Sequence, residues 1–138
     1  MEHEPNQAQK EWMLIQQYIN GWKQNNLPMI TSCLDENCLV IESHGPTYHG
    51  ISDIEHWFKL WLKAQSKVIK WDMTSFSFCE KESTAFVEWD FSCLSDEVEY
   101  SFPGISMIKF KGEKISFIHE YRMTHPAYKW EGNQLKSE

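Results

Sequence analysis

Ala85-Phe86-Val87-Glu88-Trp89-Asp90-Phe91-Ser92-Cys93 sets Ala85, Val87, Trp89, Phe91 and Cys93 against Glu88, Asp90 and Ser92. An apolar set that returns every second residue belongs to a strand with one face turned to a core. The same period runs from Val68 onward. It is broken at Glu80-Lys81-Glu82-Ser83, at Ser95-Asp96-Glu97 and at Lys111-Gly112-Glu113, so four long strands follow one another as hairpins. Pro103-Gly104 interrupts the third of them. A bulge or bend is expected there, because proline has no N–H to give to a ladder.

Upstream the period is helical. Trp12, Ile15, Ile19 and Trp22 recur at spacings of three and four, predicting a helix from about Asn6 to Gln24. Asn25-Asn26 has cap chemistry, and Pro28 fits the first turn of a second helix reaching about Leu34, with Leu27, Ile30 and Leu34 inward. Cys38 to Glu42 reads as a strand ended by the turn Ser43-His44-Gly45-Pro46, with Tyr48 and His49 as a brief return. Ser52-Asp53-Ile54-Glu55 has the form of a capping box. It opens a third helix to about Ala64, on which Ile54, Trp57, Phe58, Trp61 and Leu62 share a face. Helices followed by a run of strands predict an α+β fold, with the helices on one face of an antiparallel sheet. The expectation is one domain over 1–138, with a core from about 7 to 125 and a loose tail after about Trp130.

Composition narrows the function. Thirteen Lys and Arg against 20 Asp and Glu leave a net charge of -7, with no basic stripe for a phosphate backbone, so nucleic acid is not an expected partner. No stretch approaches the ~18 apolar residues of a membrane span. Met1 to Lys10 is polar and acidic, and the chain reads as soluble and cytoplasmic. Cys33, Cys38, Cys79 and Cys93 form no CxxC pair and sit among apolar neighbours, as small buried hydrophobes rather than zinc ligands. A glycine-rich phosphate loop, a Gly-x-Ser-x-Gly elbow and a helical His pair are all missing from the sequence, so no cofactor and no metal are expected. Seven Trp, 8 Phe and 5 Tyr exceed what core filling usually needs. Such rings either wall a cavity for a small apolar molecule or simply fill a core.

Several local strings, in this order, resemble the SnoaL-like and ketosteroid-isomerase-like branch of the nuclear transport factor 2-like superfamily: Ile15-Gln16-Gln17-Tyr18-Ile19, Asn26-Leu27-Pro28-Met29-Ile30, Tyr48-His49-Gly50 and Ile118-His119-Glu120-Tyr121-Arg122. The resemblance runs from about Gln7 to Met123. It implies a cone, a curved antiparallel (cystatin-like) sheet wrapped around the N-terminal helices. From Ile15 to Gly45 the chain is similar without a gap to the bacterial ketosteroid isomerases. That places Tyr18 at the oxyanion-hole tyrosine and Glu42 at the general-base carboxylate, and Ser106 falls where those enzymes have a protonated aspartic acid. In those enzymes a carboxylate base works with an oxyanion hole made of the tyrosine and the neutral acid, and the resemblance implies the same division of labour here. A serine hydroxyl is a weaker donor to a developing enolate than a neutral acid.

Catalytic candidates are therefore Tyr18, Glu42 and Ser106; the plain alternatives are a strand-end charge on the rim for Glu42 and a hydroxyl bonded to a backbone carbonyl for Tyr18. Trp22, Trp57, Trp61, Trp89, Phe91 and Ile108 are expected to contact a ligand or, as the plain alternative, to pack a core. His44, two residues after Glu42, either orients that carboxylate or is a turn residue. On the last strand Glu120 and Arg122 alternate with His119, Tyr121 and Met123. Periodicity, with Ile115 and Phe117, favours the latter set facing inward, whereas the resemblance favours Glu120. By analogy with the superfamily, the opposite sheet face, with Glu88 and Asp90, carries a homodimer interface. Three functions stay open: a proton-transfer enzyme of isomerase, cyclase or dehydratase type, a non-catalytic binding protein, and a structural dimer.

Overall fold

The computed structural model describes residues 6–132. The polar N-terminus up to Pro5 and the tail beyond Gly132 lie outside the described residues. The elements run α1 (Gln7–Lys23), α2 (Leu27–Thr31), β1 (Leu34–Ile41), β2 (Thr47–His49), α3 (Gly50–Lys63), β3 (Lys67–Cys79), β4 (Thr84–Ser95), β5 (Val98–Lys111) and β6 (Lys114–Arg122). The three expected strand breaks fall at the three hairpin turns.

Helix α1 opens on a capping box. The Asn6 side chain accepts the Gln9 N–H at 2.8 Å, and the Gln9 side chain accepts the Asn6 N–H at 2.9 Å. Asn25 ends the helix in the left-handed region at φ 49°, and Asn26 caps α2 by accepting the Met29 N–H. Gly21 lets α2 sit close against α1, since a Cβ there would stand 2.6 Å from the Ile30 side chain.

The six strands form one curved sheet in the order β2-β1-β6-β5-β4-β3. Only β1 and β6 run parallel; the other neighbours are antiparallel. The core lies between the helices and the inner face of this sheet, with Ile15, Ile30, Ile54, Val40, Ile115 and Ile118 all but removed from solvent. No helix among the described residues is long and apolar enough to cross a membrane.

Four expectations need correction. The second helix stops at Thr31, and Leu34 already pairs with Ile115 as the first residue of β1, so Leu34 is buried from a strand and not from a helix. The third helix starts at Gly50, which leaves Ser52 inside it. The His49 N–H is met by the Asp53 carboxylate at 2.9 Å, and no Ser52 capping box forms. Pro103-Gly104 makes no bulge, because β4 and β5 pair without a shift from Thr84–Lys109 to Ser95–Val98. Glycine is needed at 104 for a different reason: a Cβ there would stand 2.4 Å from the Trp89 ring and 2.3 Å from the Tyr121 carbonyl oxygen. Cys33, Cys38 and Cys93 are buried as expected, but Cys79, the last residue of β3, is exposed.

Candidate functional site

Between the helices and the inner sheet face lies a cavity of about 440 Å³, a size ordinary for a small-molecule site. Tyr18 and Trp22 line it from α1, Trp57 and Trp61 from α3, and Glu42, Ser43 and His44 from the β1–β2 hairpin. Val68 and Trp71 come from β3, with Trp89, Phe91, Cys93 and Ser95 from β4. Tyr100 and Phe102 on β5 and Glu120 and Arg122 on β6 complete the wall. Five of the seven tryptophans thus serve one cavity, and this is where the aromatic excess goes.

The wall is held by ring contacts. Trp22 packs on Trp57 at 4.4 Å and edge-on to Trp61 at 5.8 Å between centroids, and Trp71 meets Phe91 edge-on at 5.2 Å. The Trp61 indole N–H donates to the Asn25 side chain at 2.9 Å, and the Asn25 amide donates on to the Ser66 carbonyl. Among the described residues, three buried side-chain atoms have no hydrogen-bond partner: Oε2 of Glu11 and the indole nitrogens of Trp22 and Trp71.

Glu42 immediately follows β1 and is fixed by its hairpin. Its N–H donates to the Pro46 carbonyl, and its carbonyl accepts the Gly45 N–H, each at 2.9 Å. Val40 pairs with Tyr48 across the two strands, so Tyr48 and Glu42 share the inner face. The Tyr48 hydroxyl donates to the Glu42 carboxylate at 2.5 Å, and the Tyr48 ring stacks on Trp57 at 4.1 Å. Burial raises the Glu42 pKa, while the Tyr48 hydroxyl and nearby His44 pull it back.

Glu120 is pushed up to about 8, first by burial and then by the charge of Glu42. The Tyr48 donor favours the negative charge on Glu42 over one on Glu120, which has no such donor. Burial, with Glu120 behind it, raises the Tyr18 phenol well above its usual range, so Tyr18 remains a hydroxyl donor. Burial likewise lifts the Cys93 thiol to about 11 and keeps it neutral.

The inward face of β6 is the one the periodicity disfavours. Lys109 pairs with Phe117 but Phe110 pairs with Ile115, which leaves Ser116 as an extra residue in β6. Ile115 therefore shares the inner face with Ile118, Glu120 and Arg122. His119 and Tyr121 stack on each other outside the cavity, their rings 4.1 Å apart. Arg122 lays its guanidinium over the Phe102 ring at 4.7 Å.

Two expected site residues are not on the cavity. Ser106 and Ile108 line a separate narrow space of about 10 Å³ beneath it, and the Trp89 indole N–H donates to the Ser106 hydroxyl oxygen at 2.9 Å. Trp89 faces both spaces, so its ring takes the position from which Ser106 would meet a ligand. The other nine candidates, Tyr18, Trp22, Glu42, His44, Trp57, Trp61, Trp89, Phe91 and Glu120, all line the cavity.

Sequence reading missed Tyr48 as the partner of Glu42, although a two-residue alternation carried across the hairpin would have put both on one face. It also missed Trp71. Shifts in the β3–β4 register after Val68 and after Met73 make the inward residues Val68, Trp71, Met73, Phe76 and Phe78, a spacing of three and two that no simple period detects.

Residues 15–118 match the family model of the SnoaL-like domain. No curated protein matches the chain. Among solved structures, an epoxide hydrolase of the LEH-like type from M. tuberculosis is similar with a TM-score of 0.75 at 7% identity, over 87% of this chain and 83% of that one. A protein from Bacillus subtilis described as an isomerase also has a TM-score of 0.75, at 16% identity over 86% and 90%. One from Xanthomonas campestris described as a polyketide cyclase has a TM-score of 0.69, at 12% identity over 84% and 92%. Identities this low establish the fold alone.

Proposed function

This chain belongs to the SnoaL-like domain family, and from that premise we propose that its cavity binds a small, largely apolar molecule and moves a proton on it beside a carbonyl group. Glu42 is the base. One observation carries the reading: a carboxylate held by the Tyr48 hydroxyl at 2.5 Å faces an aromatic cavity of about 440 Å³. The aromatic walls hold the apolar body and exclude water, which strengthens every charge interaction inside. Burial lifts the Glu42 pKa toward the range useful to a base. As Glu42 takes a proton from the carbon next to the carbonyl, charge grows on the carbonyl oxygen. The Tyr18 hydroxyl, kept protonated by its burial, donates a hydrogen bond to it. Structural relatives described as an isomerase and a polyketide cyclase accord with this class of chemistry.

Glu42→Gln in a turnover assay on small cyclic ketones tests the assignment. Turnover is expected to vanish with the melting temperature within about 2 °C of the parent, because the amide oxygen can still accept from Tyr48. Turnover that survives removes Glu42 from its role.

A second reading, a binding protein that holds an apolar metabolite without transforming it, is favoured by the Trp89–Ser106 hydrogen bond, which leaves no third catalytic group at the expected position. A melting screen separates the two. A bound but unturned metabolite at a hundredfold excess over its Kd stabilises by about 2.7 kcal/mol. In either reading the chain acts in the cytoplasm as a homodimer through the outer sheet face, where exposed Phe86 and Glu88 lie on β4. Sedimentation of the parent and a Phe86→Lys variant checks the dimer.

A further inference from the structure

We propose that the ligand of this cavity carries a single positive charge on its apolar body, an alkyl- or arylammonium group seated between the aromatic wall and the carboxyl groups of Glu42 and Glu120. The inference rests on the cavity being a ligand site, and it narrows the class of ligand.

The wall is made of ring faces, and a ring face attracts a cation. Arg122 already places its guanidinium over Phe102 at 4.7 Å, so this wall takes a cation within the protein itself. Charge balance supplies the second argument. Two carboxyl groups, the Arg122 guanidinium and the His44 imidazole line the cavity, and neither basic group is in salt-bridge contact with a carboxyl. The single salt bridge among the described residues, Lys70 to Asp72, is on the surface. With both carboxyls ionised neither has a cation in contact, and their apolar surroundings make that lack costly.

Within the protein alone a proton on Glu120 makes good that lack, held up to about pH 8. Around Glu120 stand Tyr18 from α1, Glu42 and His44 from the β1–β2 hairpin, Cys93 from β4, Tyr100 from β5 and Arg122 from its own strand, with Tyr48 behind Glu42. Tyr18, Tyr48 and Cys93 are all raised and stay neutral, so they offer no counter-charge to an ionised Glu120. A ligand cation supplies the missing charge and releases that proton. An anionic ligand meets two acids that no basic side chain touches.

Phenyltrimethylammonium and its uncharged isostere tert-butylbenzene test this, with binding read from the fluorescence of the cavity tryptophans between pH 6 and 9. The quaternary nitrogen does not titrate, so any pH dependence belongs to the protein. The cation is expected to bind at least about tenfold more tightly than the isostere at pH 8.5. Its affinity should rise by up to about tenfold per pH unit from 6 to 8 as Glu120 gives up its proton. Glu120→Gln is expected to flatten that slope and remove most of the preference, and the slope in the parent protein stands as a test even if the variant folds poorly. Equal or tighter binding of tert-butylbenzene overturns the charge inference and leaves the apolar site standing. A flat pH profile for the cation overturns it too. If neither compound binds, the ligand-site reading falls and this one with it.

Discussion

Glu42 and Glu120 stand 78 positions apart in the sequence and share one cavity, where they have different partners. Tyr48 makes the difference: its hydroxyl hydrogen bond favours the ionised form of Glu42. Tyr48→Phe removes that bond, so the Glu42 pKa is expected to rise further. The acid limb of the pH–rate profile, or the Glu42 carboxyl shift followed by carbon NMR, should move to higher pH. An unmoved limb would show that the hydroxyl does not set the charge. Glu42 was legible in the sequence because it closes a short apolar strand and because a family resemblance covers it. Ser106 was placed by the same resemblance and is occupied by Trp89. The resemblance supplies a position along the chain, and the position says nothing of which neighbour reaches the hydroxyl first.

At the scale of the elements, clean periodicity was reliable and broken periodicity was not. Strand β4 pairs with β5 without a register shift, and the inward set Ala85 to Cys93 lies as its period of two dictates. Strands β3 and β6 carry register shifts, and each shift moves the residues beyond it to the other face. Deleting Ser116 is therefore expected to straighten β6 with Ile115, Ile118 and Glu120 still inward and their partners on β5 unchanged, so ligand binding should be kept, which a binding titration of the variant would register. Loss of binding in a folded variant would show that Ser116 is not the extra residue of the strand. The Pro103-Gly104 pair is a different case, since its glycine serves the Trp89 ring across the ladder rather than a break in it. Gly104→Ala forces that ring aside and is expected to destabilise by about 1–3 kcal/mol in urea unfolding, the range for overpacking a filled core.

For the whole molecule, the buried carboxyl makes stability depend on pH. Glu120 has a folded pKa of about 8 against an ordinary 4.5, so between those values the folded state binds more protons than the unfolded one. Stability is then expected to fall as pH rises from about 4.5 to about 8, and to level off above it. Glu120→Gln should flatten this part of the melting curve and melt higher than the parent at pH 9. A parent curve that is flat from pH 5 to 8 would contradict the burial of Glu120. The sheet that buries it is closed by a parallel pairing of β1 with β6, strands from the two ends of the fold. The helices, the four-strand meander, its turns and the aromatic supply could all be read along the chain, because they follow from local spacing, caps and the residues that break a period. Three features came only with the folded chain: β1 lies beside β6, a bulge at Ser116 turns Glu120 inward, and Trp89 rather than a ligand meets Ser106. Each of these depends on contacts between distant segments, where the backbone partner and the space left by neighbouring rings set the outcome and no local pattern records it.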